Sequence, residues 1–303
     1  MTINNKNISA SVHQRLLNKA MEASRPFNEL LQHFAIERFL YRLSKSPHSN
    51  KFILKGALMF SVWGGSVSRL TKDIDFLGNI DNSPDVIVAA MKDVCITKVE
   101  ADGVDFNSET VTTDRITEGA DYEGVRVRIQ GSLGNARVAI QVDIGFGDLV
   151  VPHPKQIIYP RLLDFPSPEL SGYSMESTIA EKFHAMVNLG VLNSRMKDFY
   201  DIWMLSRVFD FSGKIQAEAI KTTFDNRKTP IIVNPVVFNS SFSKEMDKIG
   251  QWKGFISKAK LSNVPEDFMN VVAQIKMFIE PLVAALSEEQ GFRGTWKAPG
   301  PWQ

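Results

Sequence analysis

Apolar residues recur at helical spacing from Ser9 to about Lys45: Leu16, Leu17 and Met21, then Leu30, Leu31, Phe34, Phe39, Leu40 and Leu43, with Pro26 interrupting the series. This period with a proline break predicts a pair of helices. The stretch KFILKGALMFSVWGG follows, which reads as a short apolar strand, a Lys55-Gly56 pair and a short helix ending at Gly64-Gly65, where glycine takes a left-handed cap. Next comes RLTKDIDF, residues 69 to 76. As a strand it sends Asp73 and Asp75 to one face and Ile74 and Phe76 to the other. Pro84 to Cys95 reads as a helix. After Gly103 the run VRVRIQGSLGNARVAIQVDIGFGD alternates on both sides of a Gly-Asn turn, the pattern of a β-hairpin. Its second strand puts Val138, Ile140, Val142 and Ile144 on one face and Ala139, Gln141 and Asp143 on the other.

Past a Pro-rich connection, Pro152 to Pro168, the texture becomes helical. SMESTIAEKFHAMVNLG opens at Ser174, an N-cap residue type, and stops at Gly190. A second helix begins near Asn193. The remainder is expected to be all-helical, with its longest helix at Pro265 to Glu289, and the tail GFRGTWKAPGPWQ to be loose. The change of texture divides the chain into a first domain at 1–165 and a helical domain at 166–303.

Composition narrows the partners. Lys plus Arg number 35 against 34 Asp plus Glu, so the field of the whole molecule is near neutral and any basic surface is local. Cys95 is the only cysteine, which excludes an internal disulfide and a cysteine-built metal site and fits a reducing compartment, so a cytoplasmic location is expected. The N-terminus lacks a basic segment followed by an apolar one, and no apolar run reaches the roughly 18 residues of a membrane span. No membrane partner is expected.

Two carboxylates on one strand face repel each other unless a cation sits between them, and a hard divalent ion such as Mg²⁺ is the usual partner. With Asp143 as a third, the set can hold one or two ions and suits phosphoryl or nucleotidyl transfer. The plain alternative is a solvated strand face whose aspartates blunt an edge. Context favours a site: Arg69 and Thr71 lie just upstream, and Lys55-Gly56 opens a helix whose N–H groups can receive phosphate. On the helix opened by Ser174, Ile179, Phe183, Met186 and Val187 form the apolar stripe, leaving Thr178, Glu181 and Lys182 opposite. Lys182 either reaches a nucleotide phosphate or is a solvated lysine paired with a local carboxylate. His184 reads as structural. In NSRMKDFYDIW, Ser194, Lys197, Asp198 and Asp201 share one face. Lys197 and Asp201 can form an i,i+4 pair, and Asp198 can steer Lys182 or take a proton; periodicity leaves these open.

In combination and order, FILKGALMF, RLTKDIDF, VDIGFGD, ESTIAEKFHAMV and NSRMKDFYDIWML resemble the AbiEii/AbiGii toxin group of nucleotidyltransferases, from about Ser11 to at least Phe224. The resemblance implies an α+β fold: a polymerase-β-like nucleotidyltransferase domain with a mixed sheet, followed by a helical C-terminal domain. It also implies a metal-binding pair at Asp73 and Asp75 with Asp143 as the third acidic position, and a nucleotide-contacting lysine at Lys182. The later acidic residue is then Asp198, with Asp201 as the alternative. Thr71 stands at a hydroxyl position that accepts phosphate in some relatives under antitoxin control. One departure is Gly56-Ala57, where the wider superfamily has Gly followed by Gly or Ser.

The expected function is therefore a Mg²⁺-dependent transfer of NMP from an NTP to an RNA acceptor, a tRNA 3′ end above others, in a toxin–antitoxin or phage-defence pair with a cognate antitoxin. Catalysis would rest on Asp73, Asp75, Lys182 and Asp198, and nucleotide contact on Lys55, Gly56, Arg69, Thr71 and Lys182. Arg126, Arg128, Arg195 and Lys197 are basic residues able to track an acceptor. Two other readings remain. One is a phosphotransferase or nucleotidyltransferase acting on a protein or small-molecule hydroxyl, and the other is a non-enzymatic scaffold that binds an antitoxin.

Overall fold

The computed structural model describes residues 3–64, 71–117, 123–261 and 263–303. The chain divides into two compact units, one of residues 1–147 with 155–172 and the other of 148–154 with 173–303.

The first unit opens with α1 (Ile3–Glu22) and α2 (Phe27–Lys45), the predicted pair separated at Pro26. β1 (Phe52–Lys55) leads through a 3₁₀ turn, Gly56–Leu58, into the four-residue α3 (Met59–Val62). Then follow β2 (Asp73–Gly78), α4 (Pro84–Ile96), β3 (Val104–Thr117), β4 (Glu123–Leu133), β5 (Ala136–Phe146), β6 (Lys155–Ile158) and β7 (Glu169–Gly172). All seven strands form one mixed sheet in the order β3-β4-β5-β2-β1-β7-β6, with β2/β5 and β1/β7 parallel and the other neighbours antiparallel. Alternation does what it predicts: Ile74 and Phe76 of β2 and Val138, Ile140, Val142 and Ile144 of β5 are buried, while Asp73, Asp75 and Asp143 are half-buried on the other face.

Three strands of this sheet were not anticipated. β3 is an edge strand of 14 residues, VDFNSETVTTDRIT, whose pairing with β4 shifts register between Asn107 and Thr112. Only Val104, Phe106 and Val111 are apolar and buried there, and the bulge breaks the period of two that would have marked it. β6 and β7 are four residues each within the Pro-rich connection, too short to show a period.

A buried ionic cluster ties α2 to the start of β3. Arg38 donates from Nε to Asp102 at 3.0 Å and from Nη1 to Glu37 at 3.1 Å and the Pro166 carbonyl at 2.9 Å. Arg42 reaches both Asp102 oxygens at 2.7 and 3.0 Å and the Val104 carbonyl at 2.8 Å. Glu37 accepts from the Leu162 amide at 2.7 Å, yet burial, outweighing that bond and Arg38, holds its carboxyl above the usual range. Helix periodicity gave no sign of this cluster.

The second unit is built from α5 (Met175–Leu189), α6 (Met196–Val208), α7 (Gly213–Asn226), α8 (Ser240–Lys244), α9 (Met246–Ala259) and α10 (Phe268–Ser287). Phe183, Phe199, Phe224, Trp252, Phe268 and Phe278 are fully buried in its core. It is not all-helical, and its tail is not loose. β8 (Phe211–Ser212) pairs with β9 (Thr295–Trp296), and Trp296 is 1% exposed, its indole N–H donating to the Ser206 carbonyl at 2.5 Å. Trp302 stacks on Phe278 with ring centroids 5.3 Å apart. Two indoles bury enough apolar surface to order a Gly/Pro-rich segment that composition alone reads as loop. Among the described residues one helix, α10, is long and apolar enough to cross a membrane. Its Val271, Val272, Ile275, Phe278, Ile279, Leu282 and Val283 are buried within the unit, and Lys276 pairs with Glu280 at 3.3 Å.

Candidate active site

In the first unit the sheet register sets charged side chains in a row. Lys55 of β1 lies opposite Asp75 of β2, Asp75 beside Asp143 of β5, Asp143 opposite Arg126 of β4, and Arg126 opposite Asp114 of β3. Register partners share a face, so five strands present a plus, minus, minus, plus, minus sequence across the sheet. Asp73 stands one step along, beside Gln141. The like-charged neighbours are Asp75 and Asp143, on strands roughly 4.8 Å apart.

Arg126 answers part of that repulsion. Its Nε and Nη2 donate to the two oxygens of Asp143, each at 2.7 Å, a forked bond between partly buried groups. Arg128 donates to Asp114. Two of the three arginines expected to track an acceptor, Arg126 and Arg128, are thus engaged with carboxylates of the sheet.

Gly56 explains the chain's path behind Asp75. It has φ +71°, and a Cβ built there would overlap the Asp75 carboxylate. Only glycine suits both the left-handed backbone and the close approach. Ala57, which departs from the superfamily pattern, follows within the same 3₁₀ turn. The Thr71 hydroxyl lies 3.3 Å from both the amide and the carbonyl of Asp73, so it braces the entry to β2. Arg69 lies outside the described residues.

Two carboxylates projecting from one strand are a donor set for Mg²⁺, which takes one or two carboxylates and completes its shell from water and phosphate oxygens. Among the described residues no group of three His, Cys, Asp or Glu side chains forms a ready cage for a metal ion. Asp73 and Asp75, half-buried on one strand face, offer carboxylate oxygens of the kind a divalent ion takes. Cys95 is buried, which pushes its thiol up to about 12 and leaves it no nucleophilic role.

In the second unit Ser174 caps α5 as predicted, accepting from the Ser177 amide at 3.1 Å. Lys182 projects to α6, where its ammonium lies 2.8 Å from Asp198 Oδ1 and 2.9 Å from Asp201 Oδ2. Both aspartates are buried, and Lys182 is 16% exposed. It is not a solvated lysine. Burial opposes its charge, but Asp198 and Asp201 outweigh burial and hold the ammonium above the usual lysine range. Burial likewise opposes ionisation of Asp198, but Lys182 and then Arg195, 3.3 Å away, keep its carboxyl below the usual range. Lys197 is exposed and Asp201 turns to Lys182 instead. Asp198 and Asp201 thus act as a pair, a relation that a single helix face could not reveal.

Just before Lys182 on α5, Glu181 accepts from the Tyr173 hydroxyl and lies 3.8 Å from Arg227, which donates to Asp148 at 2.8 Å. Arg227 also donates to His184 Nδ1 at 3.3 Å, so the His184 proton is on Nε2 and goes to the Thr229 hydroxyl at 2.8 Å. His184 is structural, as expected. Arg227 and Asp148 carried no signal in the sequence, being 79 residues apart.

The first unit is thus a mixed sheet with an acidic strand pair, and the second a helical unit that holds a buried lysine between two aspartates. Residues 38–274 match the family described as nucleotidyl transferase AbiEii toxin of type IV toxin–antitoxin systems. The chain belongs to that family. No curated protein matches it in sequence. Two solved structures from Helicobacter pylori are similar at 13% identity. A candidate nucleotidyltransferase covers 88% of this chain and 99% of its own with a TM-score of 0.45, and JHP933 covers 86% and 94% with a TM-score of 0.46.

Proposed function

We propose that the protein transfers NMP from an NTP to a hydroxyl of RNA, a tRNA 3′ end being the favoured acceptor, and that it does so in the cytoplasm under restraint by a cognate antitoxin. The observation that carries this reading is the half-buried pair Asp73 and Asp75 on one strand face, with Gly56 packed against Asp75. The acceptor oxygen bonds to the α-phosphorus, the bond from that phosphorus to the bridging oxygen breaks, pyrophosphate leaves and the hydroxyl proton passes to water. Asp73 and Asp75 would hold Mg²⁺, which supplies charge neutralisation to the triphosphate. Lys182 keeps a permanent positive charge for a phosphate, with Asp198 and Asp201 orienting it. Lys55 and Gly56 border Asp75 and would contact the nucleotide there. Arg69, outside the described residues, is assigned a phosphate contact only from its position in the sequence just ahead of Asp73. Thr71 is the candidate modification site: phosphate on its hydroxyl would set a dianion beside Asp73 and oppose nucleotide binding.

The test is incubation of the purified chain with each labelled NTP, Mg²⁺ and total RNA, resolved on a gel. Label in a tRNA band is expected. Label in protein instead would favour the protein-hydroxyl reading. No label with any NTP, together with equal growth inhibition by wild type and Asp73→Asn, would favour the scaffold.

A further inference from the structure

We infer that Lys248 of α9 is a positioning residue for the ion set of Lys182, acting through Arg195 on Asp198. The use made of Lys182 rests on the nucleotidyl-transfer reading, whereas the contacts all lie within the second unit. Lys248 is 6% exposed, and among the described residues no carboxylate pairs with it. Its ammonium donates to the Asn193 carbonyl at 2.8 Å and lies 5.1 Å from the centroid of the Phe242 ring. A buried ammonium is costly to desolvate, and one carbonyl and one ring face offset less of that cost than an ion pair would. An apolar side chain of similar length would fill the place without it. What the charge holds is the turn ahead of α6. Asn193 is fully buried, its amide donates to the Gly190 carbonyl at 3.1 Å, and its Oδ1 accepts from the Arg195 amide at 2.8 Å. With its carbonyl taken by Lys248, Asn193 is fixed at three points. The Asp198 amide donates to the Arg195 carbonyl at 2.8 Å, so this turn runs directly into the first turn of α6. Arg195 Nε then lies 3.3 Å from Asp198 Oδ2, while Asp198 Oδ1 lies 2.8 Å from Lys182. One carboxylate is thus divided between the arginine that the turn holds and the lysine assigned to a phosphate. Sharing Asp198 with Arg195 leaves Lys182 more of its positive field for that phosphate.

The experiment reads the Arg195 side chain by ¹⁵N NMR of the full chain at neutral pH, its Nε–H signal being the one absent from Arg195→Gln. Exchange of that proton with water should be slow in wild type and about tenfold faster in Asp198→Asn and in Lys248→Met. Lys248→Arg, which keeps a cation for the Asn193 carbonyl, should stay close to wild type. In the labelled-NTP assay kcat/KM should fall about 10- to 100-fold in Lys248→Met and in Arg195→Gln, and the double variant should be no worse than Arg195→Gln, because the two residues act in series. Wild-type exchange in Lys248→Met, or losses of kcat/KM that add in the double variant, overturns the inference. Wild-type exchange in Asp198→Asn, or wild-type kcat/KM in Arg195→Gln, overturns it too, and either decides the matter even if Lys248→Met fails to fold. If exchange changes as expected while wild type labels no acceptor with any NTP, the positioning of Arg195 by Lys248 stands and the nucleotidyl-transfer reading falls.

Discussion

The first unit contains two clusters of the same residue types arranged to opposite ends. Glu37, Arg38, Arg42 and Asp102 are all under a tenth exposed, and their charges are matched by partners and backbone groups on every side. The sheet face bearing Asp73, Asp75 and Asp143 is half open and sets two like charges side by side. A closed cluster, shut off from water, determines which segments pack together, whereas a half-open one leaves its carboxylates within reach of solvent and solutes. The contrast separates a structural ionic network from a candidate site without reference to any relative.

The largest effect is expected in the closed cluster. Asp102→Ala leaves two buried guanidiniums with Glu37 alone and should destabilise the protein by about 3–5 kcal/mol, read from the urea midpoint. On the open face, Asp73→Asn should change stability by less than about 0.5 kcal/mol. Its effect should fall on chemistry: loss of one charge-stabilising group costs about 100- to 1000-fold in turnover, measured as labelled product. Equal stability losses in the two variants would erase the distinction. Gly56→Ala sharpens it, since the left-handed backbone and the overlap with Asp75 should together cost about 1–3 kcal/mol and also lower turnover. An active Gly56→Ala protein of wild-type stability would show that the approach to Asp75 is dispensable.

The smallest expected effect is on pH dependence. Asp198 is held below the ordinary aspartate range, so the folded state binds fewer protons there than the unfolded chain. Its contribution is complete above the unfolded value, about 3.9, and is lost as pH falls through the lower folded value. Asp198→Asn should therefore flatten the acid limb of stability by up to about 1.4 kcal/mol per pH unit below that point. Four of the five tryptophans, Trp203, Trp252, Trp296 and Trp302, belong to the second unit, so indole fluorescence during denaturant unfolding reports on it. Parallel acid limbs in wild type and variant would remove Asp198 from the charge balance of Lys182.

Much of the architecture was legible along the chain because its cues are local. Pro26 separates two helices, Ser174 and Gly190 bracket a third, and alternation assigned the faces of β2 and β5. β3 escaped because its bulge breaks the period, and the tail escaped because burial of Trp296 and Trp302 outweighs the loop-forming habit of their Gly and Pro neighbours. At the candidate site the acidic strand was visible as D-x-D, but nothing in the local pattern set Arg126 against Asp143 or seated Lys182 between Asp198 and Asp201.

The amino-acid sequence by itself determined which side chains share a face, since the periods of strand and helix follow from backbone geometry alone. It therefore determined that Asp73 and Asp75 point the same way, and its motifs identified the family. Which charges meet was decided only by tertiary structure. Register between β4 and β5 chose Arg126 as the partner of Asp143, and packing of α5 on α6 turned an apparently solvated lysine into a buried one held by two aspartates. The reason is physical: a charge's state depends on its neighbours and on how much water reaches it, and both come from residues far away along the chain.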